Sequence, residues 1–135
     1  MKRITLNAGI ESIEPLTDWV NEILASADCP VKAQMQIDVA IDELISNVAY
    51  YAYPGGQGTV TLEAELRQDP KGLLLVVDDT GVAYDPLQKE DPDITLSAEE
   101  RKIGGLGIYM VKKSMTSMEY ERKDGHNRLS VFKAF

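Results

Sequence analysis

Cysteine occurs once in the 135 residues, as Cys29, so no intramolecular disulfide can staple the fold. A chain of this length can bury one sizeable core without such a staple. Long apolar runs are missing too: no stretch approaches the roughly 20 residues a membrane span requires. The opening "MKRITLNAGI" has a basic pair but no apolar region of signal-peptide length. With the single cysteine, this sets a cytoplasmic location as the expectation. Basic residues are outnumbered, 14 Lys and Arg against 22 Asp and Glu, for a formal net charge of −8. That balance excludes the basic footprint of a nucleic-acid binder. No GxxxxGK[ST] phosphate loop, internal repeat or low-complexity segment occurs. The lone histidine, His126, falls in "DGHN" and reads as a solvated turn residue.

The residues present describe one domain, 1–135, of ordinary globular composition. "KRITLNA" (2–8) is short and β-branched, an edge strand. Ile13, Leu16, Val20, Ile23 and Leu24 recur at helical spacing and predict a helix over 12–27. A second helix runs from Pro30, suited to a first turn, to residue 52, where "YPGGQG" stops it. "TVTLEAEL" (59–66) alternates apolar and polar residues, the pattern of a strand with one solvated face. "LLLVVDD" (73–79) is a continuous apolar run and predicts a central strand. Residues 80–105 lack periodicity, and a loop of that length in a small domain is usually functional. A helix over 104–115 and a hairpin of 117–123 with 128–134, joined by the turn "DGHN", complete the chain. This order predicts an α+β fold, a mixed or antiparallel sheet with about three helices on one face.

Three groups of residues carry chemistry. Glu43 and Asn47 are spaced i, i+4 on the second helix, about 40° apart on the wheel. They lie roughly opposite the stripe of Ile37, Ile41, Leu44, Ile45, Val48 and Ala52. A solvated helix face explains them in isolation. A carboxylate and a carboxamide aimed together at a hard cation such as Mg²⁺, or at a reacting group, is the chemical alternative. Asp78 and Asp79 end the central strand, where an ionised carboxylate can accept a hydrogen bond from an exocyclic amine such as adenine N6. Gly81 and Ala83 then remove bulk, so that a flat ring could approach the backbone. Lastly, "GGLG" (104–107) opens a helix, and free N–H groups there favour phosphate.

In their order, these groups resemble the N box (Glu-x-x-x-Asn), G1 box (Asp-x-Gly-x-Gly/Ala) and G2 box (Gly-x-Gly) of the GHKL ATP-binding superfamily. "AIDELISNVAYYAYP", "VDDTGVAYDP" and "IGGLGIYMVKKSMTSMEYERKDG" are most similar to the bacterial anti-sigma-factor serine kinases. The resemblance runs over nearly the whole chain, with residues 35–125 carrying most of it. It implies a two-layer sandwich of the Bergerat type, with ATP and Mg²⁺ as cofactors. By resemblance, Asn47 is the Mg²⁺ ligand and Glu43 the general base. Asp79 recognises adenine, while Gly81 and Ala83 floor its pocket. Gly104, Gly105, Leu106 and Gly107 form the phosphate turn, and residues about 87–103 the ATP lid. Arg101 and Lys102 are the candidate basic lid residues.

The implied function is an anti-sigma factor with protein serine/threonine kinase activity. Its implied partners are a STAS-domain anti-anti-sigma protein, which is phosphorylated, and a sigma factor, which is sequestered. No direct nucleic-acid or membrane partner is expected, and homodimerisation is left open. The alternative is a non-catalytic, ATP-gated binding module of the same fold. The pattern is departed from at Tyr51, where many relatives carry His or another polar residue. It is departed from again at Gly125–His126, in place of Gly-Thr, leaving Ser130 as a candidate adenine-binding hydroxyl. Cys29 reads as a helix-boundary residue, and Trp19 and the methionines as core or interface packing.

Overall fold

The computed structural model describes residues 1–88 and 106–135. Period-2 segments form five strands: β1 (Lys2–Asn7), β2 (Thr59–Arg67), β3 (Gly72–Asp79), β4 (Ser117–Lys123) and β5 (His126–Ala134). They pair in the order β1-β2-β3-β5-β4, every neighbour antiparallel. Three helices, α1 (Ile13–Leu24), α2 (Val31–Asn47) and α3 (Leu106–Ser114), supply the second layer. Single 3₁₀ turns stand at Ile10–Ser12 and Pro86–Gln88. The fold is the α+β sandwich expected from the pattern.

The core lies between the sheet and the helices. From β2 it receives Val60, Leu62 and Ala64, and from β3 Leu73, Leu75 and Val77. The register sets Leu62 beside Val77 and Val77 beside Leu129, so alternation on each strand points one row at the helices. Leu16 and Val20 of α1 meet Ile37, Ile41 and Ile45 of α2 within the same cluster. Ala40 is fully buried as well, so α2 packs on more of its circumference than its main apolar stripe.

Two local departures matter for the site. Past Asn47, α2 does not continue in α-geometry; Val48–Ala52 form a π-turn. Such turns often mark functional sites, because the extra residue per turn re-aims the side chains beyond it. Here Val48 and Ala52 stay in the core while Tyr50 and Tyr51 face outward. The second departure is the last hairpin. Asp124 and Gly125 both have positive φ, 53° and 81°, and Lys123 pairs directly with His126. Asp-Gly therefore makes a two-residue turn unaided. His126 is consequently a strand residue, and not the turn residue expected from "DGHN". Its Nδ1 lies 2.7 Å from Asp78 Oδ1.

Candidate nucleotide and phosphoryl-transfer site

A narrow cleft lies between the C-terminal half of α2 and the adjacent ends of β3 and β5. Leu44, Val48, Val77 and Leu129 give it apolar walls, while Asn47, Asp79 and Asn127 supply its polar groups. A mostly apolar cavity with a few convergent polar groups is the usual form of a small-molecule site.

Asp79 reaches the cleft because β3 ends there with an inward-facing position, opposite Val60 and Asn127. It is 6% exposed. Its Oδ1 accepts the Gly81 N–H at 2.9 Å and Asn127 Nδ2 at 2.9 Å. Both bonds use one oxygen, which leaves Oδ2 able to accept from a ligand amine. Asn127 spends its whole amide: Nδ2 also donates to Val82 O at 2.8 Å, and Oδ1 accepts the Tyr120 hydroxyl at 2.5 Å. This residue ties the strand end, the loop after it and β4 into one rigid corner. The sequence reading missed it. Its signal was a carboxamide at an inward position of the last strand, opposite Asp79, which becomes visible only with the register.

Asn47 lines the same cleft, and its Nδ2 is buried with no hydrogen-bond partner among the described residues. An uncommitted buried amide atom carries a desolvation cost of roughly 1–3 kcal/mol, which a bound polar group would offset. Since the two amide ends interchange by a flip, the site holds one free amide position that can serve as donor or oxygen ligand. A metal taking few protein oxygens beside ligand phosphates fits this donor set.

Glu43 lies one helical turn before Asn47 and is half-buried. Its carboxylate sits against Gly107 in the first turn of α3, where any β-carbon would overlap the carboxylate oxygens. A side chain at 107 would displace the Glu43 carboxylate from this position. Burial raises the Glu43 pKa above the ordinary carboxylate value, and the neighbouring Asp42 charge adds to the rise.

The structure thus brings Asn47 and Asp79 to one cleft, and sets Glu43 against Gly107 one helical turn from Asn47, outside the cleft's lining. Gly81 and Ala83 do not line the cleft. A β-carbon on Gly81 would strike the Ala52 carbonyl, which accepts the Val82 N–H at 2.8 Å. The glycine serves loop-to-helix packing there, in place of ring contact, and Ala83 is exposed. Ser130 pairs with Val76 on the opposite face of the sheet, one residue out of phase with the cleft. The expected Arg101, Lys102, Gly104 and Gly105, with most of the lid at 87–103, lie outside the described residues; the backbone of Leu106 opens α3. At the mouth, the rings of Tyr51 and Tyr84 stack with centroids 5.3 Å apart.

Residues 6–133 match the histidine kinase-like ATPase domain family. Among curated proteins, the chain is 26% identical over 113 residues to the serine/threonine-protein kinase BtrW of Bordetella bronchiseptica, covering 84% of this chain and 79% of that protein. It is 22% identical over 134 residues to the anti-sigma F factor of Clostridium kluyveri, covering 98% and 83%. With the serine-protein kinase RsbW of Listeria monocytogenes it shares 26% over 108 residues, covering 76% and 68%.

Proposed function

Because the chain belongs to the histidine kinase-like ATPase domain family, we propose that it is a cytoplasmic ATP-dependent anti-sigma factor and protein serine/threonine kinase. It phosphorylates a STAS-type anti-anti-sigma partner and sequesters a sigma factor. The observation that carries the chemistry is that Asn47 lines the cleft holding Asp79 while Glu43, one helical turn away, abuts the first turn of α3.

Mg-ATP, when bound, supplies the transferable γ-phosphoryl group with part of its charge neutralised. Asp79 Oδ2 would accept from the adenine amine, and the apolar walls would exclude water from the base. Asn47 would offer its amide oxygen to the metal. The free N–H groups at the start of α3 would serve the phosphates. Glu43 would take the proton of the acceptor hydroxyl while the hydroxyl oxygen bonds to the γ-phosphorus and the bond from that phosphorus to the β–γ bridging oxygen breaks, with ADP as the leaving group. A carboxylate whose pKa burial has raised is the stronger base for that task. Phosphoryl transfer depends chiefly on positioning and charge stabilisation, and the fold concentrates its effort on both.

The test is incubation with Mg-ATP and the STAS-domain partner, following phosphate on the partner. Glu43→Gln should slow transfer by about 10²–10⁴-fold while ATP remains bound. Asn47→Ala should weaken Mg-ATP binding itself. Normal transfer by the Glu43 variant removes the base role, and nucleotide-dependent partner binding without transfer favours the ATP-gated module.

A further inference from the structure

The face of α2 outside its core stripe is not polar at its N-terminal end. Val31, Met35 and Val39 recur every fourth residue and are 72%, 62% and 51% exposed. Met110 of α3, 54% exposed, faces the same groove, and Lys32, Gln36 and Ser114 form its polar edges. A solvated helix face would carry charged or amide side chains at such positions. Aliphatic and thioether side chains left this open in one row mark a contact surface.

The position of the row identifies what it contacts. Ser114, at the end of α3, shares the groove with the first turn of α2, while Gly107, at the start of α3, abuts Glu43. The two helices therefore run antiparallel, and the groove between them leads towards the Glu43 carboxylate. Val39 precedes Glu43 by one turn, and Met110 follows Gly107 by nearly one turn. At 1.5 Å per residue, the row lies about 6–18 Å along α2 from Glu43.

Resting on the kinase reading above, we propose that this α2–α3 groove is the docking channel for the acceptor protein. The segment it takes carries two or three aliphatic side chains within about 6–18 Å of its acceptor serine or threonine. The side chains seat against Val31, Met35, Val39 and Met110, which delivers the hydroxyl to Glu43. The two methionines suit such a channel, because their flexible thioethers adapt to an incoming surface. The extent of the patch argues against a second copy of this chain as the occupant. Four exposed side chains are few beside the roughly 20–30 residues a side of a standard stable interface. A kinase must release its product, and a small apolar contact permits that.

Met35→Glu and the double variant Met35→Gln/Val39→Thr test the channel, with thermal melts to show that these surface changes leave the fold intact. The acceptor KM should rise about 10- to 100-fold, with kcat at saturating acceptor and ATP affinity unchanged. Acceptor binding is also followed by calorimetry on each protein, so the channel is judged whether or not phosphate moves. Weakened binding supports it; unchanged binding and KM overturn it. A changed dimerisation constant, sigma-factor binding lost in place of acceptor binding, or a shifted ATP affinity also overturns it, by assigning the groove to another occupant. No transfer by the wild-type protein defeats the kinase reading alone.

Discussion

Glu43, the proposed base, is held in the folded protein at a cost to stability. Burial and the Asp42 charge raise its pKa in the folded protein. Between its unfolded and folded pKa values the native state therefore binds more protons than the unfolded chain, and stability falls as pH rises through that window. Above the folded pKa the full penalty is present; below the unfolded pKa, near the ordinary value of about 4.3, it is absent. Glu43→Gln should accordingly melt at a higher temperature than wild type near neutral pH. The gap should close as pH falls below about 4. Melting curves across that range check the sign, and a destabilised variant at pH 7 would contradict it. The i, i+4 spacing with Asn47 was readable from the sequence. The contact with Gly107 was not, because it joins residues 64 positions apart through the packing of two helices.

Among the elements, the uncovered face of the sheet carries a charge ladder that alternation alone misdescribes. Glu63 falls at an outward position of β2 and was expected in solvent, yet it is 2% exposed. Arg3 Nη2 donates to its Oε2 at 2.8 Å, and Arg128 Nη2 to its Oε1 at 2.5 Å. The other Arg128 nitrogen, Nη1, donates to Asp78 Oδ2 at 2.5 Å. Arg128 thus spans from β5 across β3 to β2, over Val76, which is 4% exposed on a face with no helix. Burial pushes the Glu63 pKa up, but the hydrogen bonds and charges of Arg128 and Arg3 outweigh it and hold the acid below its usual range. The stability from this depression is present above the ordinary carboxylate pKa and fades as pH falls through the folded value. Arg128→Ala should cost about 1.5–3 kcal/mol, the scale of hydrogen bonds to charged groups, since Arg3 still pairs with Glu63. Urea midpoints at pH 7 measure it, and the difference should shrink in acid as Glu63 protonates. Equal midpoints at neutral pH would show that Arg3 alone suffices for Glu63.

At the scale of the whole molecule, periodicity disclosed three helices, five strands and their order along the chain. It did not disclose that β5 would insert between β3 and β4. That insertion makes the cleft, since it sets Asn127 beside Asp79 across 48 residues of sequence. Nor did helical spacing foresee the π-turn after Asn47, in which Val48 and Ala52 still pack into the core. The cleft consequently joins α2, β3 and β5, and a ligand held there binds the folded assembly and not its separate pieces. Mg-ATP at 100 times its dissociation constant should stabilise the protein by about 2.7 kcal/mol, raising its melting temperature by roughly 8 °C for a domain of this size. Glu43→Gln should keep that shift, because Glu43 does not line the cleft proposed for adenine. Asp79→Asn should lose most of it: its carboxamide can retain the bonds from Gly81 and Asn127 only by turning its own N–H groups toward the adenine amine. Differential scanning calorimetry of the three proteins with and without Mg-ATP separates base recognition from catalysis. An undiminished shift in the Asp79 variant would move adenine out of this cleft.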